Sequence, residues 1–191
     1  MIAVGEALRE SAIINLTGAV TMVVDDSAFS ADITSSALLG FGIKTRHSMR
    51  SAAEAIEVLR EVEIDLLVVD CDMPGMDGFD LVHWLRRSGP PNAFVPVIMT
   101  AAHIRRSMVT KARDCGANFI ITKPFSAASL LERIVWVARD TRPFLEVGDY
   151  FGPDRRFRED RPPGEERRSD VIRRAQFEAE KAAALAAAAA Q

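Results

Sequence analysis

Short apolar runs alternate with segments of helical periodicity over residues 19–139. After each run, apolar residues recur at intervals of three and four, which is typical of an amphipathic helix. Strict strand–helix alternation with short connections predicts an α/β fold with a doubly wound parallel sheet. The runs with the length and apolar content of strands are 19–25, 42–48, 65–70, 95–100 and 118–123.

The third run, DLLVVD at 65–70, is apolar at consecutive positions. A strand that is covered on both faces has this pattern, so we place it in the middle of the sheet. Residues typical of helix starts and ends support the alternation of strands and helices. Ser51 followed by Glu54 is typical of a capping box at a helix start, and Gly40 and Gly116 are typical of helix ends.

The composition of the chain changes after Arg139. The following sequence is rich in Pro, Gly, Arg, Glu and Asp and lacks hydrophobic periodicity, which favours a solvated linker. An alanine-rich segment of high helix propensity ends the chain. We therefore predict an N-terminal extension (1–18), one domain (19–141), and a partly disordered mixed-charge linker with an alanine-rich helix (142–191).

The formal net charge of −3 provides no overall field that would attract nucleic acid or an anionic membrane. Arginine pairs after Arg139 alternate with acidic residues, and apolar residues are too few there for a helix-turn-helix output domain. Charged residues near the N-terminus argue against a signal peptide, and the apolar stretch 182–190 is far shorter than the ~20 residues that span a bilayer. We predict a cytoplasmic protein without membrane or direct nucleic-acid partners. Cys71 and Cys115, which lack metal-ligand spacing, are predicted to be reduced structural thiols.

Polar residues stand at the ends of four predicted strands. They are Asp25 with Asp26, then Asp70, Thr100 and Lys123. In a parallel sheet these side chains converge at one edge, where crowded carboxylates repel one another unless they share a cation. Oxygen ligands of this kind suit Mg²⁺, and a nearby hydroxyl and ammonium would complete an electrostatic clamp for a phosphoryl group. A carboxylate in this position is a candidate nucleophile.

Four segments, MVVDDS, DLLVVDCDMPGMDG, VIMTA and ITKPF, occur in the order and approximate spacing of a known family. The chain resembles the receiver domains of bacterial two-component response regulators over about residues 20–139. The resemblance implies a flavodoxin-like (βα)5 fold with the strand order 2-1-3-4-5. It also implies that Asp70 is the phosphoacceptor and that Mg²⁺ is bound by Asp25, Asp26, Asp70 and the backbone carbonyl of Asp72.

The resemblance assigns further roles after the acceptor. Thr100 resembles the switch hydroxyl that reorients onto the phosphate, and Lys123 resembles the lysine that pairs with a phosphate oxygen. Pro124 occupies the family's cis-peptide position. Gly78 lies in the loop after the acceptor, where a glycine relieves backbone crowding.

Two positions depart from the family pattern. Where the family usually has Tyr or Phe, three residues before the lysine, this chain has Ile120, and the neighbouring Phe119 should point to the opposite face of the strand. This departure puts the usual coupling of the aromatic residue to Thr100 in doubt. Ala102 stands two residues after Thr100, where many members carry a longer or polar side chain, and together with Asp72 it should alter the access of water to the aspartyl-phosphate.

The function implied by the resemblance is a signalling switch rather than an enzyme, with phosphotransfer and autodephosphorylation directed only at itself. A sensor histidine kinase or a histidine phosphotransfer protein would supply the phosphoryl group, and an unidentified downstream protein would receive the signal. A homodimer could form through the face made by the fourth helix, fifth strand and fifth helix. The segment RPFLEVGDYFGPDRRF resembles a GPDRR-type extension of single-receiver proteins of alphaproteobacteria.

The sequence also offers two alternatives, the first of which is disfavoured by the order of its motifs. VVDCDM at 68–73 also fits the first motif of a haloacid-dehalogenase-type phosphatase. That family places its metal-binding acidic pair after the lysine, whereas Asp25 and Asp26 come before it here. The second alternative is a pseudo-receiver, a binding module of the same fold whose output no longer follows phosphorylation. Ile120 favours the pseudo-receiver, whereas the complete set of acids, threonine and lysine argues against it.

Overall fold

A computed structural model describes residues 15–155 of the chain. Five parallel strands form one sheet in the order β2-β1-β3-β4-β5, which confirms the predicted flavodoxin-like order. The fully buried β3 lies at its centre, as its consecutive apolar residues indicate. The strands are β1 (Val20–Val24), β2 (Thr45–Met49), β3 (Leu66–Asp70), β4 (Val97–Ala101) and β5 (Phe119–Thr122).

Helices connect the successive strands and cover both faces of the sheet. Ser51 caps the second helix and accepts a hydrogen bond from the Glu54 amide at 3.2 Å, as predicted. Gly116, with φ of +94°, ends the fourth helix in the left-handed conformation. None of the helices within 15–155 is long and apolar enough to cross a membrane. The helices are α1 (Ala28–Gly40), α2 (Ala52–Leu59), α3 (Gly78–Arg86), α4 (Arg106–Cys115) and α5 (Ala127–Ala138).

The core consists of two apolar layers, one on each face of the sheet. Alternate residues of a strand enter opposite layers because successive side chains point to opposite faces. In β3, Leu67 and Val69 pack into the layer under α2, α3 and α4, whereas Leu66 and Val68 pack into the layer under α1 and α5. Both cysteines are buried free thiols of the first layer, in agreement with their predicted structural role.

The segment after α5 differs from the prediction of a solvated linker. Strands β6 (Phe144–Val147) and β7 (Tyr150–Pro153) form an antiparallel hairpin. Its turn consists of Gly148, with φ of +59°, and Asp149. Aromatic packing explains why the hairpin folds against the domain: the ring of Phe94 lies 5.2 Å from that of Phe144 and 5.4 Å from that of Phe151. The predicted alanine-rich helix lies outside the described residues.

The hairpin contacts the end of the domain where β4 and β5 begin. A buried arginine at the end of α3, Arg86, organises this end by donating hydrogen bonds to the carbonyls of Ala93, Val95 and Gly116 at 2.7–2.9 Å. Its guanidinium also lies 5.1 Å from the ring centroid of Phe144. The arginine therefore joins α3, the approaches to β4 and β5, and the hairpin.

Candidate functional site

The carboxyl ends of the parallel strands place the predicted side chains at one edge of the sheet. Asp25 directly follows β1, Asp70 is the last residue of β3, and Lys123 directly follows β5. The register of β3 with β4 sets Asp70 beside Thr100. The predicted convergence of these residues is confirmed.

One ammonium group holds two of the carboxylates together. Lys123 Nζ lies 2.5 Å from Asp70 Oδ1 and 2.7 Å from Asp25 Oδ2. Carboxylate oxygens of Asp25, Asp26 and Asp70 all lie within 4.8 Å of one another. Three carboxylates around one ammonium leave an excess of negative charge at this edge.

The two acids of the β1–α1 turn differ in their surroundings. Asp25 is 3% exposed, and its carboxylate accepts hydrogen bonds from the Ser27 amide at 3.0 Å and the Ser30 hydroxyl at 2.5 Å, in addition to Lys123. Asp26 is exposed to solvent. Asp25 is thus held in place by the protein, while Asp26 is open to solvent.

Burial raises the pKa of Asp70, and repulsion from Asp25 adds to this, although the hydrogen bond from Lys123 opposes it. Burial by itself lowers the pKa of Lys123, but its hydrogen bonds to the Asp25 and Asp70 carboxylates reverse the direction and leave the pKa raised. The ammonium is therefore retained at neutral pH, where it stabilises an ionised Asp70.

The remaining predicted residues surround Asp70. The Thr100 hydroxyl is 3.4 Å from Asp70 Oδ1, and the Asp72 amide donates to Asp70 Oδ2 at 3.1 Å. A Cβ on Gly78 would lie 2.0 Å from the Asp70 carbonyl oxygen, so the predicted need for glycine there is confirmed. The peptide bond between Lys123 and Pro124 is cis, as the resemblance implies.

In β5, the structure confirms that Phe119 and Ile120 point to opposite faces of the sheet. Ile120 packs against the apolar layer on one face of the sheet, while Phe119 packs on the opposite face, where its ring centroid lies 5.5 Å from that of Trp136. Because Phe119 is on the wrong face, it cannot replace the aromatic residue that the family usually has at the position of Ile120. Beside Asp70, burial raises the pKa of the Cys71 thiol to about 12, so the thiol is protonated and unreactive at neutral pH.

One residue of the site, Arg50, was not predicted from the sequence. Arg50, directly after β2, donates from Nε to the Asp25 carbonyl at 3.1 Å and from a terminal nitrogen to the Asp26 carbonyl. An arginine next to a helix cap carries no sequence signal for this contact, because the carbonyls belong to a distant part of the chain. The pairing of β1 with β2 would have placed it near the acids.

The residues present fit a small divalent cation. The donor atoms at this edge are carboxylate oxygens, which are the hard ligands that Mg²⁺ prefers. One face of the cluster is open to solvent through Asp26, so water and a phosphoryl oxygen could complete the coordination. A cation here would offset the excess negative charge that Lys123 alone leaves.

Comparison with known proteins identifies the family. Residues 21–135 match the response regulator receiver domain. The chain is 31% identical over 113 residues to chemotaxis protein CheY-3 of Vibrio cholerae, which covers 59% of this chain and 86% of that protein. It is 33% identical over 113 residues to chemotaxis protein CheY of Bacillus subtilis, which covers 59% of this chain and 92% of the relative.

Solved structures agree with the sequence match. The chemotaxis protein CheY4 of V. cholerae superposes with a TM-score of 0.59 at 25% identity, covering 62% of this chain and 98% of that chain. The signal receiver domain of a signal transduction histidine kinase from Syntrophus aciditrophicus superposes with a TM-score of 0.57 at 28% identity, covering 62% and 89%.

The chain belongs to the response regulator receiver domain family, which acts in two-component signalling. Receiver domains bind Mg²⁺ in an acidic pocket and interact with histidine kinases or phosphotransfer proteins. The family match decides against the dehalogenase-type phosphatase. It ends at residue 135, so the resemblance of the C-terminal segment to an alphaproteobacterial extension stays a prediction.

Proposed function

We propose that this protein is a phosphorylation-dependent switch in which Asp70 accepts a phosphoryl group from a phosphohistidine. The donor would be a sensor histidine kinase or a histidine phosphotransfer protein. The observation that carries the proposal is the position of the Asp70 carboxylate, 2.5 Å from an ammonium and 3.4 Å from a hydroxyl, beside two further acids. This is a nucleophile surrounded by the groups that bind phosphoryl oxygens.

In the transfer, an Asp70 carboxylate oxygen forms a bond to phosphorus while the bond from phosphorus to the histidine nitrogen breaks. The imidazole keeps the electron pair of that bond and takes a proton from solvent. Mg²⁺ held by Asp25, Asp26, Asp70 and the Asp72 carbonyl would neutralise charge on the transferred group. Lys123 would exchange part of its contact with Asp70 for a phosphoryl oxygen.

The signal would leave the site through Thr100. Its hydroxyl contacts both the Val69 carbonyl and Asp70 Oδ1 at 3.4 Å, distances that are long for hydrogen bonds. A phosphoryl oxygen offers it a stronger, charged acceptor. Movement of Thr100 toward that acceptor would shift β4 and the adjoining α4 and β5, whose surface a downstream protein would recognise. We propose no separate catalytic activity beyond self-directed phosphotransfer and autodephosphorylation.

The experiment compares full-length wild type, Asp70→Asn and Asp32→Asn by NMR titration with beryllofluoride plus Mg²⁺. Beryllofluoride mimics a phosphoryl group on the acceptor. We expect wild type and Asp32→Asn, whose changed side chain is exposed on α1, to bind with equal affinity. Asp70→Asn should lose at least about a hundredfold in affinity, since its amide is neither charged nor nucleophilic. Equal binding by Asp70→Asn would overturn the assignment.

The pseudo-receiver is the second candidate, and Ile120 is the observation that favours it. An isoleucine lacks the ring that couples the usual residue at this position to the threonine. The same titration separates the two functions. Amide shifts that extend from the site into α4 and β5 support the switch, whereas tight binding with shifts confined to the acidic edge supports the pseudo-receiver.

A further inference from the structure

An arginine that directly follows the neighbouring strand β2 contacts the acidic turn. The Arg50 guanidinium donates to the carbonyls of two successive residues, Asp25 and Asp26. A planar fork with several donors can bridge two acceptors in this way, whereas an ammonium is a single compact group. The contact therefore fixes the backbone of the turn that carries both acids.

The arginine is itself anchored from a second direction. The Glu54 carboxylate accepts a hydrogen bond from the Arg50 amide at 2.9 Å, and Glu54 belongs to the first turn of α2. The Met49 carbonyl, which precedes Arg50, accepts from the Asp25 amide at 3.1 Å. The start of α2 thus sets the position of Arg50, and Arg50 sets the position of the acids.

We propose that Arg50 is a positioning residue that holds the Asp25–Asp26 turn in the geometry that binds Mg²⁺. This inference rests on the proposed function, because it concerns the same cation. Arg50 acts through the backbone and does not touch the reacting atoms. Its side chain is exposed, so its charge is screened by solvent and its main contribution is the bridge between carbonyls.

The test uses full-length wild type, Arg50→Met, Arg50→Lys and Arg46→Met, titrated with Mg²⁺ alone and followed by NMR. Arg46 is the matched control because it lies on β2, four residues before Arg50, and donates to the carbonyls of Ile43 and Lys44, away from the acids. We expect Arg50→Met and Arg50→Lys to bind Mg²⁺ about three- to tenfold more weakly. Arg46→Met should bind as wild type does.

A second measurement is hydrogen exchange of the Asp25 and Ser27 amides in the metal-free proteins. The Ser27 amide donates to the Asp25 carboxylate within the turn, and the Asp25 amide ties the turn to the Met49 carbonyl of β2. Loss of the bridge should therefore speed the exchange of both amides in the Arg50 variants and leave it unchanged in Arg46→Met. Wild-type Mg²⁺ affinity and exchange in Arg50→Met would overturn the role of Arg50. Full recovery by Arg50→Lys would also overturn it, since charge alone would then suffice.

Failure of the proposed function gives a different result. If the wild-type protein does not bind Mg²⁺, the metal site is wrong whatever the arginine does. The exchange rates in the metal-free proteins then still decide whether Arg50 holds the turn. If the wild-type protein binds Mg²⁺ and the Arg50 variants match it in Mg²⁺ affinity and amide exchange, the metal site stands and the proposed role of Arg50 is wrong.

Discussion

Lys123 Nζ lies 2.5 Å from Asp70 Oδ1, so the ammonium pairs directly with one oxygen of the predicted phosphoacceptor. The same ammonium contacts Asp25, and both carboxylates are almost fully buried. The pairing makes the lysine important to the stability of the protein as well as to the proposed phosphotransfer.

Lys123→Met is therefore expected to lower the free energy of unfolding by about 2 kcal/mol without Mg²⁺, because two buried carboxylates lose their common partner. Mg²⁺ should reduce the loss, since it offsets the same charges. Urea unfolding with and without Mg²⁺ measures both values, with Lys44→Met, at an exposed position, as control. A loss that Mg²⁺ leaves unchanged would contradict the idea that lysine and cation stabilise the same acids.

Gly78→Ala is expected to disturb the position of Asp70, the proposed acceptor. The new Cβ would lie 2.0 Å from the Asp70 carbonyl oxygen, so the backbone must shift. Overpacking of this kind costs about 1–3 kcal/mol. Beryllofluoride affinity should fall along with the melting temperature. Gly40→Ala, with no atom within 4 Å of the added group, should keep both values or gain slightly in stability. Unchanged beryllofluoride binding by Gly78→Ala would show that the contact is relieved without moving Asp70.

Arg86→Met is expected to lower the free energy of unfolding by about 3 kcal/mol. The side chain is 3% exposed, and its loss would leave the carbonyls of Ala93, Val95 and Gly116 without this donor. Burial lowers the pKa of Arg86 to about 10, so the guanidinium is charged at neutral pH. Arg87→Met is the matched control. Its side chain is 51% exposed and pairs with Asp149, so it should cost less than about 1 kcal/mol. Equal losses of unfolding free energy in the two variants would argue against a stabilising role for the hydrogen bonds of Arg86.

Asp140 is expected to stabilise the fold in a pH-dependent manner. Burial by itself raises its pKa, but hydrogen bonds from Arg142 outweigh this and lower it. A carboxyl with a lowered folded-state pKa stabilises the protein above its unfolded-state pKa and loses this contribution as pH falls through the folded-state value. Asp140→Asn should therefore cost about 2 kcal/mol at pH 7 and progressively less below about pH 4. Urea unfolding across pH, with the exposed Asp149→Asn as control, measures the difference. A difference in unfolding free energy between Asp140→Asn and wild type that stays constant down to the lowest pH would contradict the pH dependence assigned to Asp140.

The sheet and the acidic edge could be predicted because both depend on local patterns. Runs such as 65–70 are apolar enough to identify a central strand, and parallel strands bring their carboxyl ends together whatever the sequence between them. Asp25, Asp70 and Lys123 could therefore be grouped although they are distant in the chain. Arg86 could not be predicted as a buried residue, because its partners are backbone carbonyls contributed by separate connections.

The hairpin was missed for a different reason. The composition after Arg139 is polar and rich in proline and glycine, which favoured a linker. Gly148 and Asp149 nevertheless separate FLEV from YFGP, and a two-residue turn of this kind between short runs is a hairpin signal. The stabilising contacts are aromatic rings of the domain itself, among them Phe94, which local composition does not reveal.

The hairpin and the acidic edge lie at opposite ends of β4 and β5. Arg155, the last described residue, pairs with Asp114 near the end of α4, on the same side as the hairpin. A reporter domain fused directly to Arg155 would be attached on the side of the domain remote from Asp70. A label introduced directly after Arg155 should therefore leave the carboxylates accessible to the proposed phosphodonor.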